Sequence, residues 1–484
     1  INGGDFMHKF MENNPIEKYK DGLKNLIDNI WDYSELAFRE NKSCKAMVSY
    51  LRSEGFEVEE NIADMDTAFV GVYGSGSPVI CILAEYDSLS GLSQECDIAE
   101  YKPIEGKETG HGCGHQLLGT GAVGAALLVR DYLKENNIQG TVKIVGCPAE
   151  ESGSGKAYLA RDGFFDDCDI ALSWHPDTVN IVTTGSSLAC MQVFFRFHGI
   201  SSHAAAAPHL GRSALDAVEL MNVGVNYLRE HIEPQERVHY AITNTGGISP
   251  NVVQREAEVA YMVRSSSAPK AKKLYERVCK IAKGAAMMTE TEIEILFDEG
   301  CSDTISNCAL EDVLYESFLE IGAPKYTKEE LDYAQKFKDT VSKENLDDIF
   351  ISEEIKNKQE FKKHMKENPI CDYIVEHIHK DEVSASSGST DVGDVSWVVP
   401  TAQIRTACFA YGVDGHSWQY VAQGKSKTAL KGTLLASNVL ALGAIKLIEN
   451  PELIEKAKAE FYEKLDGQKY ECLIPKEVKP HIFE

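Results

Sequence analysis

The sequence is short of positive charge: it has 49 Lys and Arg residues against 75 Asp and Glu residues, and a formal net charge of −26. Nucleic acids and anionic membrane surfaces are bound through basic patches, so we expect neither as a partner. A substrate that carries a carboxylate would need a positive group supplied within the site itself.

Long apolar runs and a disulfide framework are also missing. No stretch of 18 apolar residues occurs, so we predict no membrane span. The 13 cysteines are odd in number and irregularly spaced, which predicts reduced thiols in a cytoplasmic protein. The first ten residues, INGGDFMHKF, lack the charged-then-apolar pattern of a signal peptide.

A five-residue stretch, HGCGH at 111–115, offers two imidazoles and one thiol. Zinc and neighbouring metals prefer such ligands. Gly112 and Gly114 disfavour a continuous helix, so we predict a loop that leads into a helix over 116–135. Taken alone, the stretch could equally be a buried cysteine beside two polar loop histidines.

Strand and helix patterns alternate on both sides of the middle of the chain, which predicts an α/β fold. The expected sheet is mostly parallel and flanked by helices. Strands are predicted at 69–73, 79–84, 141–146, 170–174 and 402–410.

In the middle of the chain, the order of the predicted strands and helices changes. Residues 187–299 follow the order β-α-β-β-α-β, which is the ferredoxin-like unit. We therefore expect a discontinuous catalytic domain over 14–186 and 300–470, with a lid domain inserted at 187–299.

Charged and imidazole side chains follow the predicted strands. The carboxyl ends of parallel strands share one crevice, so these side chains are expected to converge there. One of two adjacent carboxylates can bind a metal while its neighbour acts as general base toward a metal-activated water, which suits amide hydrolysis. Singly, each has an ordinary explanation as a surface charge or a loop histidine. The residues are Glu85, Asp87, Glu150, Glu151, His175 and His416.

Several segments, taken together, resemble the co-catalytic metallopeptidase and amidohydrolase family of aminoacylase and glutamate carboxypeptidase. The resemblance extends from about residue 14 to 465 and implies an α/β metal domain with a ferredoxin-like lid that also dimerises. The segments are HGCGHQLLGTG, CPAEESGSG, SWHPD, GISSHAAAAPHLGRSALDAV, GGISPNVVQREAEVAYMVR, SSGSTDVGDVSWVVPT and DGHSWQYVAQGKS.

The resemblance implies two divalent cations, zinc or manganese, and assigns their ligands. Glu150 matches the general base, and Asp87 is expected to orient a ligand or that base. The resemblance does not make His111 a ligand. Cys113 matches the ligand that bridges the two ions. His115 and His175 match ligands of one ion, and Glu151 and His416 match ligands of the other.

The lid contributes three further expectations from the resemblance. His203 matches a residue that reaches the partner subunit's active site and stabilises the developing oxyanion. Asn251 and Arg264 match substrate contacts, and the guanidinium of Arg264 is a natural carboxylate receptor. We therefore expect a homodimer, although pairing with a related chain stays open. The sequence departs from the family at Gln116, where Asp or Asn is common. The resemblance assigns no role to the charged stretch 325–368.

These expectations predict a metal-dependent amidohydrolase that cleaves an N-acyl amino acid or dipeptide-like amide with a free carboxylate, of p-aminobenzoyl-glutamate type. One alternative is a dipeptidase of the same family, and another is a metal-binding subunit that is active only with a partner chain. A zinc nucleobase deaminase would need the motifs H-x-E and P-C-x-x-C, whereas Cys147 and Pro148 stand in the reverse order.

Overall fold

A computed structural model describes residues 12–342, 344, 346, 354–379 and 388–481. By their internal contacts these residues form two compact units. The first unit consists of 12–185, the described part of 305–379, and 395–469. The second unit consists of 186–304, 388–394 and 470–481.

The first unit is built on a seven-stranded mixed sheet. The strands are β1 Glu57–Glu60, β2 Phe69–Ser75, β3 Val79–Ala84, β6 Gly140–Gly146, β7 Ile170–Asp177, β8 Ile181–Thr183 and β13 Thr401–Ala407, with β4 Leu89–Ser90 and β5 Thr109–Gly110 in a separate two-stranded ribbon. The order across the sheet is β1-β2-β6-β3-β7-β13-β8. The four strands β6, β3, β7 and β13 run parallel to one another, and β1, β2 and β8 are antiparallel to their neighbours.

The predicted parallel sheet is confirmed at its centre, whereas its edges are antiparallel. Strands β1 and β8 were not predicted, because four- and three-residue strands are too short to show a periodic pattern.

Helices cover the sheet of the first unit. They are α1 Lys20–Tyr33, α2 Asn41–Ser53, α3 His115–Asn136, α4 Gly155–Arg161, α7 Cys308–Ile321, α8 Lys328–Lys338, α9 Lys358–Glu367, α11 Trp418–Gln423, α12 Lys427–Glu449 and α13 Pro451–Leu465. A short helix, α10, covers Val392–Ser396, and 3-10 turns lie at Pro15–Tyr19, Pro208–Leu210 and Arg229–His231.

Glycines let α3 pack very closely on the sheet. A Cβ at Gly119 would lie 2.5 Å from the carbonyl oxygen of Glu85, and one at Gly121 would lie 2.5 Å from the Trp174 ring. Larger residues at these positions would push the helix away from β3 and β7. The small residues therefore fix the start of α3, and with it His115, against the strand ends.

Over an 18-residue window, helix α12 is long and apolar enough to cross a membrane by length and composition. That window is 83% buried inside the protein, as in the core helix of a globular unit. It packs against α3 and α7, which accounts for its apolar composition. Among the residues that the structure describes, no other helix is both long and apolar enough to cross a membrane.

The second unit has a four-stranded antiparallel sheet with two helices. In chain order the elements are β9 Ala189–His198, α5 Ala214–Leu228, β10 Arg237–Asn244, β11 Glu256–Ser265, α6 Ala268–Thr289 and β12 Glu292–Cys301. This is the predicted β-α-β-β-α-β order, and the strands lie in the order β10-β11-β9-β12. Alternate residues of β9, Val193, Phe195 and Phe197, are buried, as expected for a sheet with one covered face.

Residues 388–394 pack in the second unit, although the sequence analysis assigned them to 300–470. The amide of Leu188 donates to the carbonyl of Gly388 at 2.9 Å. The Asp394 carboxylate accepts hydrogen bonds from the amide and the hydroxyl of Ser302, at 3.0 and 2.8 Å. These contacts bring a distant segment into the unit, which local patterning cannot show.

Candidate metal centre

One edge of the central sheet collects the side chains that the sequence analysis selected. Strands β6, β3, β7 and β13 are parallel neighbours, so their carboxyl ends lie side by side. Helix α3 begins at the same edge. The residues placed there are Glu85 and Asp87 after β3, Glu150 and Glu151 after β6, His175 near the end of β7, His416 beyond β13, and Cys113 and His115 at the start of α3.

Cys113, His115 and His175 form one group of potential metal ligands. Their donor atoms all lie within 4.8 Å of one another, and Cys113 Sγ is 3.3 Å from His175 Nε2. The other ring nitrogen of His175, Nδ1, lies 2.8 Å from the carbonyl of Pro176. That contact fixes the ring so that Nε2 faces the thiol.

Cys113, Glu151 and His416 form a second group within the same 4.8 Å limit. His416 Nε2 is 3.3 Å from Glu151 Oε1. The His416 backbone has φ 56°, and its amide donates to the carbonyl of Gly112 at 2.8 Å. This contact ties a residue that is distant in the sequence to the HGCGH stretch. The Sγ atom of Cys113 thus belongs to both groups.

The donor atoms themselves fit a cation. His115 Nε2 and Glu151 Oε1 are buried and have no hydrogen-bond partner among the described residues. Leaving such an atom unsatisfied costs about 1–3 kcal/mol, so native structures rarely do so. Metal ions with borderline-soft preferences, one in each group, would satisfy these two atoms together with the shared thiolate.

Asp87 orients one member of each group. Its Oδ1 lies 2.7 Å from His115 Nδ1, and its Oδ2 accepts the backbone amide of Glu151 at 2.9 Å. A carboxylate behind a ligating histidine fixes the tautomer, so that Nε2 carries the lone pair.

The cluster is rich in acidic groups, which carry negative charge when ionised. Burial would lower the pKa of His115, but Cys113, Asp87 and Glu85 outweigh burial and raise it well above its usual range. Burial raises the pKa of Glu151, yet its close contact with His416 and the charge of His115 bring that pKa below the usual value. Burial also raises the pKa of the Cys113 thiol. A divalent cation would replace protons as the counter-charge of these groups.

Glu150 lies beside the two groups. Its Oε2 is 3.9 Å from His115 Nε2, and its side chain is 15% exposed, so water can reach it. The preceding residue, Ala149, has φ 59° and donates its amide to Glu40 Oε1 at 2.9 Å. Glu40 is buried, and burial followed by the charge of Asp87 raises its pKa to about 8. The sequence analysis did not select Glu40.

A buried ion pair contacts the cluster, and the sequence analysis did not identify it either. Lys156 Nζ is 2.6 Å from Glu85 Oε1, and these side chains are 0% and 2% exposed. Glu85 Oε2 lies 3.3 Å from His115 Nε2. The lysine lies in the first turn of α4 and belongs to no motif, so only the fold reveals its partner.

We expect Lys156→Met to destabilise the metal-free protein by about 3–5 kcal/mol, because it leaves the Glu85 carboxylate buried without its ammonium partner. Urea denaturation of the chelator-treated protein measures the change. The control is Lys20→Met, whose exposed pair with Glu17 contributes at most about 1 kcal/mol. Equal losses from both variants would contradict a structural role for the buried pair.

His111 lies outside the cluster of donors. Its Nε2 contacts the carbonyl of Ile30 at 3.0 Å, and burial lowers its pKa to about 3. The ring is therefore neutral and part of the core. Gln116, the departure from the family pattern, donates its side-chain amide to the carbonyl of Gly424 at 3.2 Å.

The selected lid residues lie within the second unit. His203 Nδ1 accepts the backbone amides of Ala205 and Ala206 at 3.2 and 3.1 Å. The amide of Ala204 donates to the carbonyl of Asn251 at 3.0 Å, so the loops that carry His203 and Asn251 are in contact.

Arg264 lies on β11 of the same unit. It donates to Ser389 Oγ at 2.7 Å and contacts Met262 Sδ at 3.0 Å. Among the described residues, no carboxylate comes within ion-pair distance of its guanidinium.

The parallel sheet, the thiolate-imidazole-carboxylate cluster and the ferredoxin-like unit define a class of protein, the two-domain metallohydrolases. The chain belongs to peptidase family M20/M25/M40, whose sequence profile matches residues 81–419. It is accordingly a metal-dependent amide hydrolase, and the resemblance seen in the sequence is confirmed.

Individual members of the family show which known proteins the chain is similar to. The chain is 42% identical over 477 residues to a p-aminobenzoyl-glutamate hydrolase component of Escherichia coli (strain K12), one of the subunits of that enzyme, and the match covers 98% of each protein. It is 27% identical over 468 residues to the Xaa-Arg dipeptidase of Mus musculus, covering 94% of this chain and 92% of that one. A Bacillus subtilis dinuclear metal binding peptidase of the M20 family has the same fold, with a TM-score of 0.53, 16% identity, and coverage of 88% of this chain and 99% of that one.

Proposed function

We propose that this chain hydrolyses the amide bond of an N-acyl amino acid with a free carboxylate, of p-aminobenzoyl-glutamate type. The observation that carries the proposal is the pair of ligand groups that share Cys113 Sγ, with the second carboxylate of Glu150 beside them. The substrate class follows from the 42% identity to the E. coli hydrolase component.

The proposed centre holds two divalent cations. Cys113 would be the ligand shared by both cations, His115 and His175 would hold one of them, and Glu151 and His416 would hold the other, since Cys113 belongs to both groups of donors. When bound, the cations supply Lewis acidity that polarises the substrate carbonyl and lowers the pKa of the attacking water. Thiolate and imidazole ligands favour zinc. Manganese is the alternative metal, because metal availability in the cell overrides affinity.

Glu150 is the proposed general base. It removes a proton from the water as the water oxygen attacks the amide carbon, and it returns that proton to the leaving nitrogen as the C–N bond breaks. Its neighbour Glu151 has one oxygen buried without a hydrogen bond, and the backbone amide of Glu151 donates to Asp87. The two carboxylates are therefore suited to different tasks.

The second unit is proposed to recognise the substrate. Arg264 receives the free carboxylate through two parallel N–H···O bonds, and Asn251 adds a polar contact. His203, whose Nδ1 is held by two backbone amides, stabilises the negative charge that develops on the carbonyl oxygen. In our proposal it does so across a homodimer.

We expect Arg264→Met to lower kcat/KM by about 100-fold, equivalent to about 3 kcal/mol, for a substrate with a free carboxylate. The same variant should change the rate little when that carboxylate is amidated. Steady-state kinetics on both substrates measure the difference. The control is Arg196→Met in the same sheet, because Arg196 already pairs with Glu258 at 2.8 Å. An equal loss on both substrates would contradict a carboxylate clamp.

The proposal also includes the assembly of the chain. The E. coli relative is named as a subunit, so this chain could require a related partner chain for activity. We propose an autonomous homodimer, since the chain carries a complete set of candidate catalytic residues. We also propose that it works in the cytoplasm, where its thiols stay reduced, as the free cysteines of the described residues are.

The direct test is an assay of purified chain loaded with Zn²⁺ or Mn²⁺ on p-aminobenzoyl-glutamate, N-acyl amino acids and Xaa-Arg dipeptides, read as released amine. Light scattering on the same sample gives the mass. We expect hydrolysis of the aminobenzoyl substrate by a dimer. Faster cleavage of Xaa-Arg dipeptides would favour the dipeptidase alternative. Activity only after addition of a second protein would favour the heteromer.

A further inference from the structure

We propose a second metal site, structural rather than catalytic, at the first turn of α7. Cys308, Glu311 and His379 form one group of candidate donors, and His377, whose Nε2 lies 3.3 Å from Glu311 Oε2, is the proposed fourth ligand. The bound ion would be a transition-metal cation of borderline softness, such as Zn²⁺. The site shares no residue with the catalytic cluster.

Three of the four proposed donor atoms lie close enough together to hold one cation. Those of Cys308, Glu311 and His379 lie within 4.8 Å of one another. Glu311 Oε2 is 3.3 Å from His377 Nε2 and 3.7 Å from His379 Nδ1. Two ligands at about 2.0–2.2 Å from a tetrahedral zinc ion are separated by about 3.3–3.6 Å. The two separations from Glu311 Oε2 are therefore close to edges of such a tetrahedron.

Two of these atoms are buried without a hydrogen bond. The side chains of Glu311 and His377 are 2% and 4% exposed. Glu311 Oε2 and His377 Nε2 have no hydrogen-bond partner within the described part of the chain, even though they lie only 3.3 Å apart. In our proposal, a shared cation satisfies both of these buried atoms.

Asp312 supplies the support that a ligating histidine usually has. Its Oδ1 is 2.8 Å from His379 Nε2, so Nε2 carries the hydrogen and Nδ1 has the lone pair that faces Glu311. His364 and Asp372 form a pair of the same 2.8 Å length elsewhere in the unit. That pair belongs to no ligand group among the described residues, so it shows an ordinary ion pair for comparison.

The proposed ion would tie an irregular segment to a helix. Residues 368–379 contain no helix or strand, and Asn180 holds them through its contacts with Val375 and Tyr373 at 2.9 and 3.1 Å. A closed four-ligand site would add a further anchor at the end of this segment. Sites in which the protein supplies all four ligands are structural, because no position is open to substrate.

Zinc counting tests the proposal. The Cys113→Ala/His416→Ala protein lacks ligands of the catalytic cluster, and after loading with Zn²⁺ and gel filtration we expect it to retain one equivalent per chain. Adding His377→Ala/His379→Ala should remove that equivalent. Adding His364→Ala instead is the matched control and should leave it in place. Inductively coupled plasma mass spectrometry measures the content.

Two further measurements keep the test independent of folding defects. Asp312→Ala removes only a half-exposed side chain and should weaken Zn²⁺ binding at this site about 10- to 100-fold. Co²⁺ in the Cys113→Ala/His416→Ala protein should show a thiolate charge-transfer band that Cys308→Ser abolishes. Retention of zinc without His377 and His379, or no zinc in the Cys113→Ala/His416→Ala protein, would overturn the proposal.

Discussion

Glu150→Gln is expected to bind its metals normally and to lose turnover, with kcat reduced by about 10²–10⁴-fold, the range attributed to general acid–base catalysis. The amide side chain keeps the shape of the carboxylate but cannot accept a proton. KM should change little, because Glu150 is not assigned to substrate binding. Metal content and steady-state kinetics on the same preparation measure both effects.

Glu151→Gln provides the contrast for that prediction. Its Oε1 is buried at 3.3 Å from His416 Nε2, so the substitution removes a proposed ligand and should lower the metal content. The two adjacent glutamates would then separate chemistry from metal binding. Full turnover in Glu150→Gln, or equal metal loss in both variants, would contradict the division of roles.

Cys113→Ala has the second of the two largest expected effects. The Sγ atom is the one donor that belongs to both ligand groups, so its removal weakens both cation sites at once. Loss of the Lewis acid is worth several kcal/mol, and about 4 kcal/mol corresponds to roughly a 1,000-fold fall in kcat/KM. Metal analysis should show fewer than two equivalents at the catalytic cluster.

Cys147→Ala is the matched control for the cysteine. Cys147 is buried after β6, close in sequence to Glu150, and its thiol donates to the carbonyl of Val145 at 3.3 Å. It lies outside the ligand groups of the described residues, so its substitution should leave metal content and kcat unchanged. A Cys113→Ala protein with full metal content and activity would argue against a bridging thiolate.

The sequence allowed much of this arrangement to be predicted. Apolar runs located the central strands, and parallel strands bring their carboxyl ends to one edge whatever the length of chain between them. That rule alone placed Glu150, His175 and His416 together. The assignment of individual roles depended on the family resemblance, since spacing does not distinguish a ligand from a base.

Other features depend on contacts that leave no local pattern. Lys156 lies in the first turn of α4, and only the fold shows that its ammonium pairs with the Glu85 carboxylate. Residues 388–394 join the second unit through single hydrogen bonds to distant residues. The proposed structural site joins Cys308 to His379, and the histidine lies in a segment without any periodic signal.

Anomalous diffraction from crystals of the Zn²⁺- or Mn²⁺-loaded protein tests the central claim most directly. We expect two metal peaks that flank Cys113 Sγ, one beside His115 and His175 and the other beside Glu151 and His416. A single peak, or metals bound away from this thiol, would contradict a two-metal amidohydrolase centre at this sheet edge.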